Sequence, residues 1–167
     1  MIPLSPPSVQ RTYSEFWSRD PSFVQAPTEA EDAELSSDAK AALAEHKRKI
    51  RIARETGDWS ALRVAGSGEP TMFQVEPLPG NAWRWIMARV LGGEFDLYEV
   101  AALVFRVCIR DVVNGGIEDI DREDHKALGR IATVAVTNHL DAFNPSIVTE
   151  IGLALWERGT RGLLAPK

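Results

Sequence analysis

Large apolar side chains enter this chain early and without a regular period. Tyr13, Phe16, Trp17 and Phe23 stand among Pro3, Pro6, Pro7, Pro21 and Pro27, so residues 1–27 read as an extended arm carrying aromatic anchors. Proline fixes its own φ and biases the residue before it away from helix, which works against a regular helix there. The pattern changes over residues 28–57. They are polar, with a thin stripe of Leu35, Leu43, Ile50 and Ile52 among alanines, and predict a long helix exposed on most sides. Thr28 as N-cap with Glu31 three residues on makes a capping box, and Gly57 is a C-terminal stop. Glu29, Glu31, Asp32, Glu34 and Asp38 precede Lys40, Lys47, Arg48, Lys49, Arg51 and Arg54, the charge order that a helix dipole favours.

Residues 58–69 read as a linker ending in Gly66-Ser67-Gly68. Residues 71–78 then alternate as a strand with Phe73 and Val75 on one face, and Pro77 confines it to a sheet edge or marks its end. Asn81 opens a helix over 82–91 that Gly92-Gly93 closes. Residues 95–113 are apolar nearly all round, which predicts a buried central helix ended by Asn114-Gly115-Gly116. Asp121 caps a further helix over 122–143, with Leu128, Ile131, Ala132, Ala135, Val136 and His139 as its inner face. Asn144-Pro145 starts the last helix, which buries Ile147, Ile151, Leu155 and Trp156 and stops at Gly159. The expected fold is mainly α. A compact helical bundle with one short strand or hairpin fills residues 70–167, preceded by the linker, the long polar helix and the arm.

Composition narrows the class. With 167 residues, 44% hydrophobic and 26% charged, the chain has the make-up of one soluble domain with an appendage. The apolar stretch 100–113 is broken by Arg106, Arg110 and Asp111 and is too short to span a bilayer. The opening Met1-Ile2-Pro3-Leu4-Ser5-Pro6-Pro7 lacks the basic start and apolar core of a secretory signal. The single Cys108 leaves no internal disulfide, and the expectation is an intracellular origin. A net charge of -5 argues against a general nucleic-acid binder.

Candidate chemistry is sparse. Asp119, Asp121, Glu123, Asp124 and His125 form the most metal-like stretch, since calcium loops place ligands at alternate positions. The sixth position is Asp124 rather than glycine and the twelfth is Arg130 rather than glutamate, so the stretch reads as an acidic helix start. His46, His125 and His139 are scattered, without a cysteine pair to complete a zinc site. Cys108 lies in the most apolar segment, where a thiol is inert. Gly66-Ser67-Gly68 lacks the lysine that follows a phosphate loop. The run His46-Lys47-Arg48-Lys49-Ile50-Arg51 could touch phosphates but interleaves no aromatic residue, and suits a helix C-terminus equally well. No catalytic residue, cofactor or metal site is expected, and the alternative of a small metal-binding or nucleic-acid-binding protein rests on these two stretches.

Tryptophan usage points elsewhere. Five tryptophans in 167 residues is high, and Trp17, Trp59, Trp83 and Trp85 fall in the arm, the linker and one short helix. Residues two apart on a helix point to different faces, so Trp83 and Trp85 are not expected to share one core. Tryptophan is enriched at interface hot spots. Tyr13, Phe16, Trp17, Phe23, Trp59, Trp83 and Trp85 are therefore the expected contact residues.

The stretch Gly68-Glu69-Pro70-Thr71-Met72-Phe73-Gln74-Val75-Glu76-Pro77-Leu78-Pro79-Gly80 resembles a phrase that precedes a compact helical region in small tailed-bacteriophage proteins, among them minor virion proteins and tail-assembly chaperones. That resemblance implies a non-enzymatic structural or assembly protein of a tail, neck or capsid, or alternatively a tail-assembly chaperone. It would be made in the host cytoplasm and carried in the virion, with other copies of itself or other virion proteins as partners. A membrane, a specific nucleic acid or a small-molecule substrate is not expected. Ordering an arm costs roughly 1–2 kcal/mol per residue in backbone entropy, so a fixed arm must pack on something, and neighbouring copies are the expected support.

Overall fold

In the computed structural model, residues 13–26, 36–116, 120–124, 135–137 and 140–164 are described. Strand β1 (Tyr13–Phe16) leads into a turn, and helix α1 (Ser37–Thr56) into a 3-10 turn (Ser60–Leu62). Strand β2 (Met72–Val75) then precedes helices α2 (Gly80–Leu91) and α3 (Leu97–Cys108), and strand β3 (Ile109–Val113) follows α3 directly. Strands β4 (Arg122–Asp124) and β5 (Ala135–Thr137) and helix α4 (Pro145–Leu164) complete the order. The sheets are antiparallel: three strands in the order β1-β2-β3, and the pair β4-β5. Among the described residues the fold is thus mixed, four helices with two small sheets, and not the mainly helical bundle with one short strand or hairpin that periodicity predicts.

Two boundaries account for the difference. The predicted central helix ends at Cys108, because Ile109 turns to extended backbone (φ -64°, ψ 135°) and its neighbours pair with β2 as Phe73–Val112 and Val75–Ile109. A run apolar on all sides looks the same as buried helix or buried strand, and β-branched Ile109, Val112 and Val113 tip the last turn to strand. The predicted helix over 122–143 is replaced at its described residues by β4, β5 and a 3-10 turn at Leu140–Ala142. Val136 and Thr137 are buried there, in a β-branched run (Thr133, Val134, Val136, Thr137) that favours strand. Leu128, Ile131, Ala132 and His139 of its predicted inner face lie outside the described residues.

The N-terminal signals divide in the same way. Gly57 closes α1 as expected, in left-handed conformation (φ 73°), its N–H donating to the Ala53 carbonyl at 2.8 Å. The start is Ser36, whose Oγ accepts from the Ala39 N–H at 3.2 Å; the predicted Thr28–Glu31 box falls outside the described residues. Asn144 caps α4 by accepting from the Ser146 N–H at 2.9 Å, but Gly159 does not stop that helix. Gly159 lies inside α4, where a Cβ would make only ordinary van der Waals contact with Leu78 at 3.5 Å. Pro77 costs β2 no ladder bond although β2 is the central strand and not an edge, because it sits past the strand's last residue, Val75.

The main core gathers β2, β3 and α2 against the packed pair α3 and α4, with Val100, Val104 and Phe105 facing Val148, Ile151 and Leu155. Phe73, Phe105 and Phe143 meet edge-on or tilted at centroid separations of 5.2 to 6.1 Å, the geometry aromatic quadrupoles prefer. A second cluster joins Phe16, Phe23, Ala53, Leu62 and Met72, with Ile50 and Trp59 packed on it. The predicted arm and linker meet here: the Val24 N–H donates to the Leu62 carbonyl at 2.7 Å and the Val64 N–H to the Ser22 carbonyl at 2.9 Å. Among the described residues no helix is long and apolar enough to cross a membrane.

The α3–α4 contact is close. A Cβ on Gly152 would overlap the Ala101 carbonyl group on α3, and backbone cannot yield as a flexible side chain can. Gly152→Ala is expected to lower unfolding free energy by about 2–3 kcal/mol through forced separation of the helices, despite alanine's better helix propensity. Urea denaturation of the variant measures this, and a variant as stable as the parent would show that the helices do not pack this closely.

Candidate functional site

Four charged groups from three distant segments converge on one buried point. Glu15 comes from β1, Arg54 from the last turn of α1, and Glu150 and Arg158 from α4, two turns apart. Glu15 is only 1% exposed, in a position that an apolar residue would ordinarily occupy. Its carboxylate lies 3.2 Å from Arg54 Nε and 3.5 Å from an Arg158 terminal nitrogen. Arg54 also donates to Glu150 Oε1 at 2.6 Å and to the Phe16 carbonyl at 3.2 Å. Glu150 in turn accepts from the Ser18 N–H and hydroxyl at 2.9 and 2.8 Å. Arg158 donates to the Arg54 carbonyl at 2.8 Å and stands 4.1 Å over the Tyr13 ring, within cation–π range.

The Glu15–Arg54 contact is an ion pair misaligned for a hydrogen bond: both Glu15 Oε2 and Arg54 Nε are buried with no hydrogen-bond partner. Burial pushes the Glu15 carboxyl above its ordinary pKa, and Arg54 and Arg158 pull it back only in part. Tyr13 is pushed up to about 12, mainly by burial, with Arg158 opposing. Asp20 behaves oppositely. Burial disfavours its charge, but N–H donation from Ser22 at 2.8 Å and Thr71 at 3.0 Å outweighs that and holds its pKa low. Burial likewise pushes the Cys108 thiol up to about 12, which suppresses the thiolate a nucleophile would need.

The arrangement is electrically closed. Two carboxylates face two guanidinium groups, with Ser18, backbone carbonyls and the Tyr13 ring as further partners and Arg54 Nε paired by charge alone. It can clamp β1, α1 and α4 together. A cavity of about 120 Å³ among the described residues, lined by residues including Phe73, Val112, Phe143 and Ile147, carries no titratable side chain. Among the described residues no group of three or more His, Cys, Asp or Glu is placed to hold a metal ion. Asp121 and Glu123 lie beside and on β4, while Asp119 and His125 of the same acidic stretch fall outside the described residues.

The expected contact residues separate into two groups. Phe16 and Phe23, 1% and 2% exposed, meet edge-on at 5.1 Å inside the second cluster, so the described part of the arm packs on its own chain. Tyr13 and Trp59 are half-buried, packed on the main and the second cluster. Trp17 is half-buried, with its Nε1 lacking a hydrogen-bond partner. Trp83 stacks on Trp156 at 5.8 Å and donates to Thr160 Oγ1 at 3.1 Å. Trp85 meets Phe95 at 5.8 Å under the Arg89 guanidinium at 3.5 Å. Contrary to expectation, both tryptophans pack against the same main core, Trp83 towards α4 and Trp85 towards the start of α3.

Sequence reading missed the four charged groups and one exposed surface. Leu91, Leu97 and Tyr98 are 80%, 65% and 51% exposed at the corner where α2 hands over to α3. A carboxylate at Glu15 between Tyr13 and Phe16 was the available signal for the clamp; nothing in the sequence tied it to residues some 140 positions later. Comparison with protein-family models, with curated proteins and with solved structures finds no match.

Removing one partner of a buried ion pair strands the other charge. Arg54→Met is expected to cost about 3 kcal/mol by urea denaturation. Glu15→Gln should cost less, because a carboxyl with a raised pKa already tolerates the neutral form. The sign follows from linkage: folded Glu15 binds a proton more readily than unfolded Glu15, so its contribution to stability improves as pH falls through the folded value towards the unfolded one. Glu15→Gln should flatten that part of the pH–stability profile, and an Arg54→Met protein as stable as the parent would contradict the clamp.

Proposed function

We propose that this chain is a non-enzymatic structural or assembly subunit of a tailed-bacteriophage particle, working through contacts between its own copies. The observation that carries the reading is the α2–α3 corner. Leu91, Leu97 and Tyr98 are large, exposed and joined by a five-residue turn, on a frame fixed by the Trp85–Phe95 contact and the Arg89–Glu94 ion pair at 3.7 Å. Exposed apolar residues gathered on a rigid surface mark contact sites, whereas scattered ones do not. The likeness of residues 68–80 to small virion proteins supports the phage context, and that phrase supplies β2 and the approach to α2.

The mechanism is burial of surface, at roughly 25 cal/mol per Å² of apolar area. It differs from the arm-exchange mechanism that composition suggests, because Phe16 and Phe23 are already spent on their own chain. The contact falls to the corner instead. A dilution series in sedimentation velocity is expected to give species above the 18.5 kDa chain mass that dissociate as concentration falls. Leu97→Asp places an acid in the first turn of α3, which the helix dipole tolerates, and should shift the series to monomer with the unfolding midpoint unchanged. A parent chain that is monomeric throughout would overturn the assembly reading.

A further inference from the structure

Resting on that assembly reading, we infer that two copies pack α2 against α2, antiparallel, about a two-fold axis through Ala88. A helix at a protein surface ordinarily turns charged and polar residues outward. Helix α2 departs from that. Its exposed residues are Arg84, Ala88 and Leu91, four and three apart and so in line on one face, with Met87 half-buried beside them. The opposite face carries Ala82 and Ile86, buried in the main core. Arg84 is thus the one charged side chain on an otherwise apolar outer face. Among the described residues none pairs with it.

The face complements itself only when one copy is reversed. Its start carries Arg84; its end carries Leu91, the negative pole of the helix dipole, and Glu94. Glu94 is fixed there, because its N–H donates to the Arg89 carbonyl at 2.9 Å and its carboxylate lies 3.7 Å from Arg89 Nε. With Ala88 on the axis, the Arg84 of each copy reaches the acidic end of the other copy's helix. The small side chain at the crossing lets the two helix axes approach to about 8 Å. A parallel pairing would instead set Arg84 against Arg84 and Glu94 against Glu94. A two-fold axis through Leu97 at the corner would gather the exposed Glu94, Asp96 and Glu99 of both copies. Like-charge juxtaposition disfavours both alternatives. In the antiparallel pair, Leu97 and Tyr98 flank the start of the other copy's α2 and extend the apolar contact.

The 12 residues of α2 span about 18 Å, a small contact, so the pair should exchange with monomer rather than persist. The contact is isologous and closes at two copies, so α2 supplies the dimer step of assembly. Ala88→Cys tests the axis, since only a residue on the two-fold meets its own counterpart, and the buried Cys108 does not compete. Under mild oxidation this variant should cross-link to twice 18.5 kDa on a non-reducing gel. Leu91→Cys should not, although Leu91 is 80% exposed, because its two copies would lie roughly 9 Å apart along the helices, beyond disulfide reach. Arg84→Glu opposes acid to acid twice per dimer and should weaken dimerisation in sedimentation velocity by roughly tenfold or more. Its circular dichroism and unfolding midpoint should match the parent's, since the site is exposed and an acid near a helix start suits the dipole. Suppose the parent associates, but Leu91→Cys cross-links as readily as Ala88→Cys or Arg84→Glu leaves association untouched. The α2 pairing is then wrong and the assembly reading survives. A parent that stays monomeric at every concentration removes both.

Discussion

One buried carboxylate organises this molecule. Glu15, 1% exposed, carries its charge into a position walled by β2, α1 and α4, and burial lifts its pKa above the ordinary range. Such a group is tolerated only where opposite charge meets it, and Arg54 from α1 and Arg158 from α4 do so. Buried ion pairs are poor sources of net stability but exacting about geometry, since neither charge can be left alone. The clamp therefore fixes arrangement rather than adding much free energy. It sets β1 on the edge of the sheet, the end of α1 beside it, and α4 across both.

From that arrangement the rest follows. With β1 held, Phe16 and Phe23 close the second cluster, and the residues that pair with 22–24 in the 3-10 region become structure instead of linker. The last turns of α1 are seated at Ile50 and Ala53, while Ala39, Leu43 and His46 before them are half-buried. The α3–α4 pair, brought close by Gly152, supports the corner where α2 gives way to α3. Surfaces that composition assigns to a neighbour are consumed inside the chain, while surfaces that composition passes over remain outside.

What could be read in the sequence was local. Gly57, Asn144-Pro145 and Gly92-Gly93 place helix ends because a cap acts within one turn, and the alternation of residues 72–75 places β2. What could not be read was decided at long range. Whether Ile109–Val113 continues a helix or joins a sheet depends on Phe73 and Val75, more than thirty residues earlier, and local apolarity is equal in the two cases. The aromatic arm failed as a guide for the same reason. Tyr13, Phe16 and Phe23 announce that something must cover them, but only Arg54, Leu62 and Arg158 say that the cover is intramolecular. Trp83 and Trp85 share a core because α4 reaches Trp83 while Phe95 folds back on Trp85, which spacing on one helix does not reveal.

Amide hydrogen exchange across residues 13–16 in the isolated chain, diluted until it sediments as a single molecule, tests the clamp most directly. If Glu15 holds β1 to its own domain, those amides exchange as slowly as the amides of β2, at the same concentration and independent of further dilution. Exchange at the rate of unstructured peptide, or protection that vanishes on dilution, would mean that neighbouring copies hold the strand and that the buried carboxylate does not.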